Sequence, residues 1–182
     1  MRELALHVLD LVENSIRAGA GVVAVTVEEQ PERNLLAIAV EDDGPGLVVN
    51  PEQATDPFYT TKEGKRTGLG LSLFRFQVEQ AGGALELGRS ALGGLAVRAT
   101  LQLGHVDRHP LGDLASTLAG VVAANPGVEV CVELRVGDRD VRVSSAFAAG
   151  EVARGRGGAA RAAARRLRQE VAEGMASLHM SG

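Results

Sequence analysis

The chain has a single cysteine, Cys131, so it carries neither a disulfide framework nor a cysteine-based zinc site. Tryptophan is absent, and aromatic residues make up only 3% of the 182 positions. A protein that reads nucleic acid by base stacking needs more aromatics. It also needs a basic balance, whereas the formal net charge here is −4. Long apolar runs are missing too. The most apolar stretch, around 18–27, falls short of the ~20 residues that a transmembrane helix requires. The N-terminus shows no signal-peptide pattern. These absences predict a cytoplasmic protein with neither a nucleic acid nor a membrane as its partner. Lysine is nearly absent as well: Lys62 and Lys65 stand against seventeen arginines.

Glycine, by contrast, is abundant, at 23 residues or about 13% against a typical ~7%. It shows no collagen period and sits among plentiful Val, Leu and Ala, which excludes a low-complexity chain. The length suits one domain, or one domain with an appendage, and suffices to bury a core. Position says more than number. Four of the five aromatics (Phe58, Tyr59, Phe74, Phe76) and both lysines fall in one short window, and Gly44, Gly46, Gly64, Gly68 and Gly70 punctuate the same region. This concentration reads as a binding loop.

Hydrophobic periodicity organises the rest. Leu4, Val8, Leu11, Val12 and Ile16 recur at helical spacing across residues 2–18. Residues 22–29 and 35–42 are β-rich runs joined by a hairpin-like QPERN. Residues 43–70 form a long loop, of a length that usually serves a function. A helix follows over 71–81, stopped by Gly82-Gly83, and two strands over 84–90 and 94–103. Beyond a boundary near 104 come a helix over 111–124, two alternating runs (128–136 and 139–146) joined by Gly137-Asp138, and an Ala/Arg-rich helix over about 159–178. The expected fold is α+β: a mixed, mostly antiparallel sheet covered by helices on one face, with a small C-terminal α+β appendage over 105–182.

Three elements carry chemistry. Asp10, Asn14 and Arg17 share one face of the first helix, away from Leu4 and Leu11. Asn is a poor helix former and needs a reason to sit there. The second element is Glu41-Asp42-Asp43-Gly44-Pro45-Gly46 at a strand end. A carboxylate so placed can accept from an exocyclic amine, and glycines let the backbone approach a flat ring. An ordinary turn would look the same. The third is Phe58-Tyr59-Thr60-Thr61-Lys62, continuing to Thr67-Gly68-Leu69-Gly70. Its glycines precede a helix whose N-terminal N–H groups can receive phosphate. It is not a Walker A loop.

Together the elements resemble the GHKL (Bergerat) ATP-binding fold of gyrase-type topoisomerases, the ninety-kilodalton heat-shock chaperone, histidine kinases and MutL. DLVENSIRAGA looks like the Asn box and DDGPGL like the first glycine box. DPFYTTK with TGLGLSL looks like the lid and second glycine box of sensor histidine kinases. The resemblance covers about residues 4–103 and implies a histidine-kinase-like ATP-binding domain over 1–104. It implies ATP and Mg2+ as ligands, with Asn14 on the metal, Asp42 on the adenine amine, and Gly44 and Gly46 shaping the adenine pocket. Arg17 would approach phosphate, and Thr60, Thr61, Lys62, Gly68 and Gly70 would belong to the lid. Asp10, four before the Asn, stands where an acid activates water in the ATPase members; Glu13 competes for that role.

Two departures stand out. Kinase-type domains often have Gly-Gly-Thr near the final strands, but Gly93-Gly94 is followed here by Leu95. Only nine residues precede Asp10, with no room for a phosphoacceptor hairpin, and His7 reads as a core or surface residue. A stand-alone kinase-like protein is therefore expected, transferring phosphate to a protein acceptor in trans or hydrolysing ATP slowly. The alternative is an ATP-gated regulatory module without turnover. The 105–182 appendage is expected either to pack on the ATP-binding domain or to dock a partner, and a homodimer is one assembly open to the chain.

Overall fold

The computed structural model describes residues 3–46, 69–146 and 156–180. In chain order these form α1 (Leu4–Arg17), β1 (Val22–Gln30), a 3-10 turn (Pro31–Arg33), β2 (Leu35–Asp42), α2 (Leu69–Gln80), β3 (Ala84–Arg89) and β4 (Leu95–Gln102). Then follow α3 (Leu114–Ala124), β5 (Glu129–Val136), β6 (Arg139–Ser144) and α4 (Arg156–Leu178). The expected hairpin over QPERN is present, and Asn34 turns it in the left-handed conformation.

The six strands form one sheet in the order β3-β4-β2-β1-β5-β6. All neighbours run antiparallel except β1 and β5, which pair in parallel with Val23 opposite Val130. Alternation sends Val23, Val25 and Val27 of β1 to one face, with Leu36, Ile38 and Val40 of β2 and Val130, Val132 and Leu134 of β5. The helices cover that face: α1 lies over β1 and β2, α2 over β3 and β4, and α3 and α4 over the β5–β6 end. Leu4, Phe74, Leu118 and Leu167, one from each helix, belong to a single core cluster with the strand residues. The chain is thus α+β with a mixed, mostly antiparallel sheet.

The boundary expected near 104 falls at the start of the connector between β4 and α3. Across it the sheet is continuous, because β5 pairs along β1. The connector also closes the start of α1. A helix leaves its first N–H groups without internal partners; here Leu4 N–H donates to Pro110 O (2.9 Å) and Ala5 N–H to Leu111 O (2.8 Å). Gly112, at φ +75°, permits this approach, since a Cβ there would overlap the Glu3 side chain. The helix expected from 111 begins only at Leu114. Asp113 caps it by accepting from Ser116 N–H (2.9 Å), and the Ser116 hydroxyl, followed by this N–H, holds its carboxyl below the usual range.

Candidate functional site

Strand β2 ends in a polar residue that keeps the core-facing phase of Leu36, Ile38 and Val40. Asp42 therefore points inward and is only 3% exposed. A buried carboxylate is costly unless its lone pairs are satisfied. Oδ1 accepts from the backbone N–H groups of Gly44 and Leu95, both at 3.0 Å. Oδ2 accepts from the Ser15 hydroxyl of α1 at 2.5 Å. The Asp42 carbonyl accepts from Gly94 N–H at 2.9 Å, drawing the β3–β4 loop onto the end of β2. Only glycine allows that closure. A Cβ on Gly94 would overlap Asp42 Oδ1 and lie 2.6 Å from both Asp42 O and Gly44 N.

The neighbouring acid does something different. Asp43 faces away and accepts from Val22 N–H (2.9 Å) and Gly21 N–H (2.8 Å), tying the entry of β1 to the exit of β2. The Val22 bond is the main reason its carboxyl lies below the usual range. Of the Asp pair in the motif, one faces a cleft and the other is a brace.

The cleft holds about 110 Å³ between α1 and the sheet. Leu11, Val40, Leu71, Leu95 and Val97 give it apolar walls, while Asn14, Ser15 and Asp42 supply its polar groups. Gly46, at φ +77°, lies at its edge within 3.6 Å of Gly94 O, measured from the place a Cβ would take. A mostly apolar cleft with a few convergent polar groups is the usual form of a small-molecule site.

Asn14 stands exposed at the mouth. Its Oδ1 accepts from Arg17 Nη2 at 2.9 Å, and Arg17 Nε donates to Glu13 O at 3.1 Å. Glu13 also meets Arg17 at 3.9 Å across solvent. The expected cation near phosphate is thus folded back along its own helix. Asn14 Oδ1 is a hard oxygen suited to Mg2+, provided Arg17 lets go. Among the described residues no cluster of three or more His, Cys, Asp or Glu could hold a metal. That donor set fits an ion held mainly by phosphate and water, as Mg2+ prefers.

Asp10 takes another direction. Its carboxylate packs on the first turn of α2, where a Cβ on Gly70 would overlap it. It is not among the residues lining the cleft. Asn14, Asp42, Gly44 and Gly46 come together, while Asp10 and Gly70 form a separate contact. Thr60, Thr61, Lys62 and Gly68 lie outside the described residues. His7 is buried and stacks on Phe74 of α2, with ring centroids 4.8 Å apart. Burial is the main cause lowering its pKa from 6.5 to about 4.

Three participants escape the sequence reading: Ser15, Gly94 and the Leu95 N–H. The signal for the last two is the Gly-Gly pair itself. Leu95 lacks the threonine hydroxyl, yet its backbone reaches the same carboxylate. Ser15 follows Asn14 directly and carried no spacing signal of its own.

The family model for the histidine kinase-, DNA gyrase B-, and HSP90-like ATPases matches residues 2–105. Among curated proteins, the chain is 34% identical over 105 residues to the sensor protein kinase CarS of Pseudomonas aeruginosa (56% of this chain, 23% of that protein). It is 40% identical over 72 residues to the sensor protein kinase PilS of the same organism (36% of this chain, 13% of that protein). With the sensor kinase CckA of Brucella abortus the identity is 46% over 55 residues (29% of this chain, 6% of that protein). The chain thus spans less than a quarter of the length of each. Solved structures similar to it include the N-terminal domain of a DNA repair protein (TM-score 0.45, 14% identity, covering 79% of this chain and 52% of that one). Another is the Aquifex aeolicus MutL ATPase domain complexed with ADP (TM-score 0.42, 15% identity, covering 79% and 64%).

Proposed function

The chain belongs to the family of histidine kinase-, DNA gyrase B- and HSP90-like ATPases, and from that premise we propose that its cleft binds ATP together with Mg2+. The observation that carries this reading is the buried Asp42. Its Oδ1 is filled by two backbone N–H groups, and Oδ2, which already accepts from the Ser15 hydroxyl, keeps a second lone pair for a purine amine. Adenine presents an N6 amine as donor, which this acceptor edge matches. The apolar walls would sandwich the ring, and the triphosphate would run toward Asn14. Mg2+ bound there would offset phosphate charge, with Asn14 Oδ1 as its side-chain ligand and Arg17 released to face the phosphates.

On this reading the γ-phosphoryl passes to a protein acceptor in trans, or slowly to water. Such transfer rests mainly on positioning and charge stabilisation, and Asp10 is the candidate base. A second reading, an ATP-gated regulatory module without turnover, is favoured by the place of Asp10, packed on Gly70 rather than lining the cleft. Calorimetric titration with Mg-ATP tests the binding, with Asp42→Asn as the control. Turnover of Asp10→Asn separates the two readings. Hydrolysis that collapses while affinity holds supports the base; unchanged hydrolysis removes it.

A further inference from the structure

We infer that the outer edge of β6 is a docking surface for a second copy of this chain, paired strand to strand about a two-fold axis at Val141. β6 ends one side of the sheet, and no described strand covers it. Such an edge is a ready template for pairing with another chain. The hairpin decides which of its backbone groups are free. Gly137-Asp138 joins Val136 to Arg139, which stand opposite each other, and Ser145 N–H donates to Val130 O at 2.9 Å. Odd-numbered residues of β6 therefore turn their N–H and C=O groups to β5, while Asp140, Arg142 and Ser144 turn theirs outward. Arg166 of α4 already donates to Ser144 O at 3.4 Å. The rungs left for a partner are Asp140 and Arg142.

Charge then selects that partner. On the sheet face away from the helices, Glu133 stands opposite Arg142, and Arg135 opposite Asp140. Arg142 Nε reaches Glu133 at 2.7 Å. Beyond Arg135 lies Glu28 of β1. One row thus runs Glu28, Arg135, Asp140 and meets the edge with a negative charge. The next runs Glu133, Arg142 and meets it with a positive one. Both end side chains are open to solvent, Asp140 at 48% and Arg142 at 70%. A second copy turned by 180° sets its Arg142 against Asp140 and its Asp140 against Arg142. Each of these oppositions exchanges two backbone bonds, and both rows continue across the junction with alternating sign. Sliding the copies by two residues would instead set Arg142 on Arg142 or Asp140 on Asp140, and like charges directly opposite are destabilising. The same axis brings Val141 against Val141 on the helix side. One continuous sheet would then carry both helix layers, and both clefts, on the same face.

The test is sedimentation equilibrium of the full chain over a range of concentrations. Wild type is expected to pass from monomer to dimer as concentration rises. Asp140→Arg makes both edge groups positive and Arg142→Asp makes both negative, so each variant alone should associate at least about tenfold more weakly. Mixed in equal amounts, the two variants should pair with each other, because every opposition again joins unlike charges. Wild type that stays monomeric at millimolar concentration overturns the proposal and leaves the edge to a strand of another protein. A dimer that both variants keep overturns it too, since the contact then lies elsewhere. Two variants with wild-type circular dichroism that stay apart when mixed overturn the charge pairing.

Discussion

Replacing Gly94 by alanine tests whether the β3–β4 loop is what holds Asp42 in place. The added Cβ would overlap Asp42 Oδ1 and press within 2.6 Å of Asp42 O and Gly44 N. Two of those three atoms are backbone, so rotating a side chain cannot relieve the clash. The loop must lift from β2. Lifting it breaks the Gly94 N–H bond to Asp42 O and the Leu95 N–H bond to Oδ1. The second is a bond to a buried charge, worth about 1.5–3 kcal/mol, and the first about 1 kcal/mol. Together they predict a loss of about 2.5–4 kcal/mol. At this chain length each kcal/mol shifts Tm by ~2–4 °C, so melting should fall by roughly 5–16 °C. Gly93→Ala is the control: a Cβ there meets no atom within 4 Å, and only φ +110° opposes it, costing about 1–3 kcal/mol. The assay is thermal melting of both variants alongside ATP titration. Gly93→Ala should keep its affinity and Gly94→Ala should lose it. A Gly94→Ala protein with wild-type melting and wild-type ATP affinity would show that the β3–β4 loop does not hold Asp42 in place.

Other outcomes follow from the same geometry. Asp42→Asn keeps the shape but removes the charge, and ATP should bind roughly tenfold to a hundredfold more weakly by calorimetry. His7 is held neutral in the fold, with its pKa near 4 against 6.5 when exposed. The unfolded chain therefore takes up a proton first as pH falls, and stability is lost between about 6.5 and 4. Urea midpoints should report about 2 kcal/mol less stability at pH 5 than at pH 7 from this group alone, and His7→Phe should shrink that difference. Asp113→Ala removes the cap of α3 and should cost about 1 kcal/mol in denaturant melts while ATP binding stays unchanged.

Much of this arrangement can be read from residue order, because the forces concerned are local. The amphipathic spacing of α1 and the alternation of β1 and β2 specify which side chains enter the core, and Asp42 simply continues the buried phase of β2. The Asn box and glycine box mark the cleft because Asn14 and Asp42 need a particular helix face and strand end. What was not legible depends on contacts between distant segments. Nothing in the alternation of 129–136 says that this strand lies parallel to β1, since periodicity fixes a face and not a neighbour. Ser15 looks like a small helical residue until the end of β2 is brought against it. Asp10 shares its helix face with Asn14 by spacing alone, yet the start of α2 claims it. Arg17 reads as a phosphate cation, but with Asn14 one turn away its guanidinium finds a nearer acceptor.

A purine nucleotide seated against Asp42 would be reported directly by the backbone amides bound to that carboxylate. Amide resonances of Gly44 and Leu95 should be followed while Mg-ATP is added to the isotope-labelled full chain. Saturable shifts are expected at both amides and at Ser15, abolished by Asp42→Asn. Saturable ATP binding that leaves those resonances unmoved, or no binding at millimolar nucleotide, would contradict that placement.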